Sequence, residues 1–338
     1  MAASLRDVAA RAGVSIKTVS NVVNGTGRVG AETRSRVEQV IQELGYRPNV
    51  SARSLRHGRS GVIALAVPEI ANPYFAELAE LVVKAAEAYG WTVLIDQTES
   101  DPERERLVLQ GIRSHLIDGL LFVPGRLTAE DFAARTDTTP MVLLGERMTR
   151  VADRVAIDSY AAGRAATEHL IDLGRTRIAA IGAGPSGDAV SRGRYEGYRE
   201  ALVAAGLRPS ARLVVPRRRW RHQDGAEAVE RLLSLSRPPD ALFCSNDLLA
   251  HGALRALHDH GVKVPSEVAV VGIDDIAESR FSRPSLTSVA PDKHHIAETA
   301  VGLLAERLKP GCSSAPREFI AGFHLEVRES TEGPGADG

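Results

Sequence analysis

Lys17 and Asn21 stand four residues apart in a segment whose valines, Val19, Val22 and Val23, recur at helical spacing. On a helix that buries those valines, Ile16, Lys17, Ser20 and Asn21 share the outer face. That set can read base edges in a nucleic-acid groove. Lysine donates to guanine O6 and N7, asparagine pairs with adenine N6 and N7, and isoleucine packs on a thymine methyl. Thr18, Ser20, Asn24 and Arg28 suit phosphate oxygens, which fix register without reading sequence. Ser15, the expected N-cap of this helix, is counted with them.

These side chains need a scaffold, and the flanking residues supply one. Leu5, Val8, Ala9 and Ala12 follow i, i+3, i+4, i+7 spacing, and Gly13 can end that helix in a left-handed cap. A third helix is expected up to Leu44, with Val37, Val40, Ile41 and Leu44 inward and Gly45 ending it. Three short helices with a tight glycine turn between the first two describe a helix-turn-helix, whose second helix can enter a major groove. Charge separates this reading from that of a small protein-docking bundle. Residues 1–60 carry ten Lys/Arg against four acids, a net of +6, while the rest carry 32 against 39, a net of −7. A basic head on an acidic body points to a polyanion for the head alone.

The 338 residues exceed one compact core, and 43% hydrophobic with 25% charged residues is ordinary globular composition. No early apolar run suggests a signal peptide and no 18-residue apolar stretch suggests a membrane span. Cys244 and Cys312 sit in no ligand pattern, so free thiols and a cytoplasmic location are expected, with neither metal nor cofactor.

The run LRDVAARAGVSIKTVSNVVNG, with ELGYRPNVSARSLR after it, resembles the LacI/GalR family of bacterial repressors. The resemblance implies operator DNA as partner and a hinge over residues 49–55 that becomes helical on the operator. It also implies that Leu55 wedges into the minor groove beside Ala52 and Arg53. Such a wedge unstacks one base step, at a cost that contacts to the kinked duplex offset. Two positions depart from the pattern: Asn21 stands where many relatives carry arginine, and Gly30 where a serine cap is common.

Beyond Gly61, short apolar runs alternate with amphipathic segments. Strands are expected at 62–67, 92–95, 119–123, 141–144, 155–157, 178–182, 212–215, 240–244, 268–272 and 286–289. Helices are expected near 74–89, 102–116, 159–173, 192–205, 223–236, 246–260 and 292–308. Continuous apolar strands between helices imply parallel sheets covered on both faces, and ten strands imply two of them. The fold class is therefore α/β: a three-helix head, then a two-sub-domain core. VPEIANPYF, HLIDLGRTRIAAIG, RYEGYREAL, PDALFCSND, VVGIDD and PSLTSV extend the resemblance to about residue 331 and imply a periplasmic-binding-protein-like core. The expected organisation is a head at 1–47 and a hinge at 48–60. A first sub-domain follows at about 61–158 plus 290–319, then a second at 159–289 plus 320–331, with a disordered tail at 332–338.

Ligands of such sheets bind beyond the carboxyl ends of the strands. Asn72, Tyr74 and Phe75 follow the first strand, Arg194 the sixth, Asn246 and Asp247 the eighth, and Asp274 and Asp275 the ninth. The resemblance places Tyr74, Phe75, Arg194, Trp220, Asn246 and Asp274 at effector-contacting positions, and Asn72 joins them by its place at the first strand end. Arginine and aspartate forks suit adjacent hydroxyls or a carboxylate, and aromatic faces suit a sugar ring or a base. Each position also has a plainer reading. Tyr74 and Phe75 can be core, Arg194 a surface ion pair, Trp220 part of the solvated run PRRRWRH, and Asp247 is expected to cap its helix. A glutamine common near Pro291 in the family is absent. The resemblance implies a homodimer and a small-molecule effector of carbohydrate type; no leucine heptad follows the core, so nothing suggests a tetramer-forming tail.

Other classes fare worse. Gly182, Gly184 and Gly187 satisfy GxGxxG after a strand, yet Pro185 and a loop to Arg192 are expected to delay the helix that should receive a pyrophosphate. No GxSxG elbow, P-loop or HExxH occurs, so no enzymatic activity is expected. His294 and His295 are adjacent and point apart on a helix, unlike metal ligands. A transport receptor would need an export signal and no basic head.

Overall fold

The computed structural model describes residues 3–24, 26–46, 59–111, 116–146 and 151–333. The chain divides into two units, one up to Gly61 and one from Val62.

In the first unit, helix α1 spans Leu5–Ala12, α2 Ile16–Asn24 and α3 Ala31–Glu43. A capping box opens α1: the Asp7 carboxylate accepts the Ser4 amide at 2.8 Å while Ser4 Oγ receives the Asp7 amide. Gly13, at φ 66°, closes it. Ser15 Oγ accepts the Thr18 amide at 3.0 Å, whereas α3 starts at Gly30 with no side-chain cap. Val8, Ala9, Ala12, Val19, Val22, Val37 and Val40 form the small core. Leu44 does not join it, being 36% exposed. The helix stops at Glu43, Gly45 turns at φ 58°, and Tyr46 folds back into the buried place.

The second unit contains two six-stranded sheets. The first has the order β11-β5-β4-β3-β1-β2: β1 (Val62–Val67), β2 (Thr92–Gln97), β3 (Gly119–Phe122), β4 (Met141–Leu144), β5 (Asp153–Ile157) and β11 (Glu318–Ala321). All its pairings are parallel. The second has the order β12-β10-β9-β8-β6-β7: β6 (Ile178–Gly182), β7 (Val214–Pro216), β8 (Ala241–Cys244), β9 (Ala269–Ile273), β10 (Thr287–Pro291) and β12 (Phe323–Glu326). Only β12 runs antiparallel. Helices α4 (Pro73–Glu87), α5 (Pro102–Leu109), α6 (Ala129–Ala133) and α12 (Lys293–Arg307) accompany the first sheet. Helices α7 (Ser159–Asp172), α8 (Ala189–Ala204), α9 (His222–Leu233), α10 (Asp247–Asp259), α11 (Glu278–Phe281) and α13 (Glu329–Glu332) accompany the second. β3, β4, β5, β6, β8, β9 and β10 are buried throughout, as strands covered on both faces must be. The chain crosses between the sheets after β5, after β10 and at Gly322, and the Asp292 amide donates to the Gly322 carbonyl at 3.0 Å where two crossings meet.

Several boundaries differ from the periodicity. α5 ends at Leu109 rather than 116, because Gly111 turns at φ 75°. Ala211–Leu213 forms a 3-10 turn, so β7 begins at Val214. β11 and β12 escape the pattern because REFIAGFHLE lies on sheet edges, only one of its residues being buried. What fixes β11 is remote in sequence: buried Asp153 on β5 accepts the Arg317 amide at 2.7 Å and Arg307 Nη2 at 2.6 Å. The chain remains packed through Gly333, whose neighbour Glu332 ends α13. Residues 334–338 lie outside the described residues.

α8 starts at Ala189, three residues before the expected position, because the Asp188 side chain accepts the Ser191 amide at 2.8 Å. The GxGxxG loop therefore does lead straight into a helix. The Ser191 amide, one of those it would offer a pyrophosphate, already meets the Asp188 carboxylate, which would also repel the anion.

Candidate functional site

On the head, Ile16 is 44% exposed and Lys17 is exposed on the outer face of α2. Asn21 is half-buried, with its amide against Gly27 in the turn that follows α2. Thr18 and Ser15 are tied to each other by a 2.9 Å hydroxyl contact in addition to the cap bond. Ser20 is half-buried and Arg28 exposed, while Asn24 ends α2. Ala52, Arg53 and Leu55 lie outside the described residues.

In the core, Asn72, Tyr74, Phe75, Asn246 and Asp274 stand at helix starts or strand ends, while Arg194 lies within α8 and Trp220 in the loop before α9. Asn72 caps α4, its Oδ1 accepting the Tyr74 amide at 3.1 Å. Pro73 at the first helical position then sets the chain direction. Tyr74 and Phe75 pack edge to face, centroids 5.3 Å apart, against the apolar cluster of the first sheet. Phe75 is thus a wall; Tyr74 also meets the polar side. Burial, then the Asp274 charge, raises its phenol, with Arg194 acting the other way.

Arg194 is buried, not a surface ion pair. Close approach of α8 to α7 at Gly163 and Gly197, where added side chains would strike backbone, brings Arg194 down into the site. It donates to the Ser245 carbonyl and its guanidinium lies 5.3 Å from the Trp220 ring centre. Trp220, anchored to the Arg217 carbonyl at 3.3 Å, is half-buried rather than part of a free loop. Asn246 joins the group twice: its Oδ1 caps α10 and its Nδ2 donates to the Trp220 carbonyl at 3.3 Å. Asp274 follows β9 with φ 123° and is buried; burial raises its carboxyl to about 7, opposed by Arg194 and then Lys293, while Glu77 adds to the rise.

Tyr74, Arg194, Trp220, Asn246 and Asp274 therefore form one cluster where the two sub-domains meet. Beside it opens a cleft of about 490 Å³ lined by Glu69, Asn72, Arg221, His222, His251 and Glu278 among others. Asn72 is the one expected site residue in that lining. Arg221 Nη2 bonds Glu69 at 2.7 Å and so ties the second sub-domain to the first.

Asp247 does not cap α10, since Asn246 holds that position. Its buried carboxyl instead gathers three donors: Ser288 Oγ at 2.6 Å, Ser279 Oγ at 2.7 Å and the Ile276 amide at 3.1 Å. Burial and the nearby Asp274 push it up to about 8, against the pull of those donors. His251, bonded to Ser279 at 3.2 Å, is lowered to about 4 by burial and by His222.

Sequence reading missed Glu146 and Ser159. Glu146 follows β4, accepts the Ser159 amide at 2.7 Å, and is raised by burial, with hydrogen bonding from Ser159 and then the Arg194 charge opposing. Two buried polar atoms here have no hydrogen-bond partner among the described residues: Arg194 Nε and Ser245 Oγ. Glu146 also ends a strand, so the same rule could have found it; nothing local marks the two serines.

Residues 4–49 match bacterial regulatory proteins of the lacI family, and residues 167–331 match a periplasmic binding protein-like domain. The ribose operon repressor of Halalkalibacterium halodurans is 36% identical over 98% of this chain and 97% of its own. Among solved structures, a lac repressor dimer bound to operator and the anti-inducer ONPF superposes with TM-score 0.84 at 27% identity, covering 98% of this chain and 99% of that one. A complex of the transcriptional regulator CelR with cellobiose gives TM-score 0.72 at 33% identity, covering 97% and 99%. With its helix-turn-helix head and two-sheet core, the chain belongs to the LacI family of bacterial transcription regulators.

Proposed function

We propose that this regulator works as a homodimeric, cytoplasmic repressor whose hold on a pseudo-palindromic operator is set by a neutral polyhydroxylated effector, a sugar or sugar derivative. The effector reading rests on the buried cluster at the sub-domain junction. Arg194 Nε and Ser245 Oγ lack partners among the described residues, although buried polar groups nearly always have them. Beside them Glu146 and Asp274 supply acceptors raised by burial, and Trp220 with Tyr74 supplies aromatic faces. Alternating donors and acceptors against aromatic walls suit hydroxyls on an apolar ring face. An anionic effector would meet two buried carboxyls, and the relatives named for ribose and cellobiose favour the neutral class.

Ile16, Lys17 and Asn21 read bases on this proposal, with Ser15, Thr18, Ser20, Asn24 and Arg28 nearer the backbone. Residues 48–60 are the hinge and Leu55 its wedge. A second copy of the chain covers apolar surface that one copy exposes: Leu94 and Ile95 on edge strand β2 are 38% and 44% exposed, and Phe281 is 84% exposed. Effector binding shifts the sub-domains and, through the hinges, operator affinity, with a coupling of about 1–3 kcal/mol.

Two measurements test the proposal. Full-length protein is offered genomic fragments over a salt series, and selection of fragments with inverted repeats at a steep salt dependence is expected. The core from Val62 onward is then screened by thermal shift against neutral sugars, sugar acids and nucleosides. A ligand at a hundred times its Kd adds about 2.7 kcal/mol, a shift of several degrees. Absence of any selected fragment, or a core that responds only to anions, overturns the proposal.

A further inference from the structure

We infer that Glu77 and Lys293 form a clamp by which the first sub-domain grips loop 274–277 of the second, and so hold Asp274 in the buried cluster at the sub-domain junction. The inference rests on the reading of that cluster as the effector site.

The loop is costly to hold. Asp274 and Asp275 both have positive φ, 123° and 45°, a conformation that persists for residues other than glycine only where surroundings impose it. Its own sub-domain supplies part of the restraint. The Asp274 amide donates to the Val289 carbonyl at 3.0 Å, the Asp275 amide to Ser288 Oγ at 3.0 Å and the Ile276 amide to Asp247. Arg328 Nη2 holds the Asp275 carboxylate at 2.6 Å.

The carbonyls of Asp274 and Asp275 and the amide of Ala277 turn instead to the other sub-domain. Lys293 Nζ donates to both carbonyls at 2.9 Å, and Glu77 Oε1 accepts the Ala277 amide at 2.8 Å. The third ammonium proton goes to Glu77 Oε2. An ammonium has three donors, and here all three are used, two of them across the sub-domain boundary. Glu77 lies on α4 and Lys293 at the first position of α12, neighbouring helices of the first sub-domain.

Two plainer readings fit poorly. A surface ion pair would leave Lys293 solvated, but its side chain is 14% exposed. A lysine serving its own helix belongs at the C-terminal end, because the N-terminal end carries the positive pole of the dipole. Lys293 opens α12 against that preference. What it gains is the grip on the loop, and that grip exists only while the sub-domains keep this arrangement.

The test uses hydrogen exchange and mass spectrometry on the full chain without effector or operator, so it succeeds or fails independently of the effector screen. Lys293→Met keeps the aliphatic stem and removes the donors, Lys293→Arg keeps charge and donors, and Glu77→Gln keeps an acceptor for Ala277 but loses the ion pair. Exchange of a peptide covering 274–281 should rise about ten- to a hundredfold in K293M, the range expected for losing a charged hydrogen-bond donor. K293R should return it most of the way, and E77Q should fall between. Peptides from β6 and β8 should exchange as in the wild type. Wild-type exchange of 274–281 in both K293M and E77Q overturns the clamp, as does loosening spread evenly over the core. If K293M fails to fold, E77Q alone decides by the same reading.

Discussion

Replacing Asp247 by alanine should damage the core more than any other single change of comparable volume on α10. The carboxyl is fully buried and is the common acceptor for the hydroxyls of Ser279 and Ser288 and the amide of Ile276. Alanine strands three donors in a place water does not reach, each at about 1–3 kcal/mol. Allowing the two hydroxyls to turn toward other acceptors, the sum is about 3–6 kcal/mol, a large part of a typical domain's whole stability. Asparagine keeps one acceptor oxygen, and its amide can donate to a rotated serine, so D247N should cost about 1–2 kcal/mol. The carboxyl also carries a pH signature. Its folded value of about 8 lies above the unfolded value near 4, so its contribution to stability is complete below about pH 4 and is lost as pH rises towards 8. Asp274, at about 7, acts in the same direction. Wild-type stability should therefore decline over this window, and D247N should flatten the decline without removing it. Urea unfolding of wild type, D247A and D247N at pH 5, 6.5 and 8, followed by far-ultraviolet circular dichroism, checks both statements. A D247A protein within 1 kcal/mol of wild type would refute the reasoning, as would a D247N protein with the wild-type pH slope, since both follow from one neutral buried hub.

The head offers sharper contrasts in small effects. Ser15→Ala removes the α2 cap and should cost about 1 kcal/mol in thermal unfolding of the isolated head, while Gly30→Ser should add a few tenths by supplying the cap α3 lacks. Lys17→Ala should relax preference at one base pair by about 1–3 kcal/mol, whereas Arg28→Ala should weaken all sequences alike and lower the salt slope by about one, both read from binding to a selected operator and its single-base variants. Phe281→Asp places a charge on the most exposed large apolar side chain among the described residues and should shift the full-length protein toward monomer in sedimentation, with operator binding lost in parallel.

Much of the scaffold was legible because its signals are local. Gly13, Ser15 and the valine spacing specify the first two helices by capping and amphipathicity alone, and Val62–Val67 or Ile178–Gly182 read as buried strands from their unbroken apolar runs. Leu44 misled because the same periodicity continues one residue past the point where Gly45 turns the chain. Asp247 misled because a short acid beside a helix start is usually a cap, and its real partners lie 29 to 41 residues away.

The amino-acid sequence by itself determined the order of elements, the cationic head with its outward Ile16 and Lys17, and the strand ends where Arg194, Asn246 and Asp274 emerge. Period, cap and charge are properties of neighbouring residues, so they need no folded partner to be read. Only the tertiary structure decided which of those side chains meet. It alone joined Glu146 to Ser159, Asp247 to Ser288, and Lys293 to the backbone of Asp274 and Asp275. Burial raised the acids and left Arg194 Nε and Ser245 Oγ unpartnered among the described residues, and burial comes from helices and loops distant in sequence closing over the strand ends where the two sub-domains meet, which no local pattern of residues encodes.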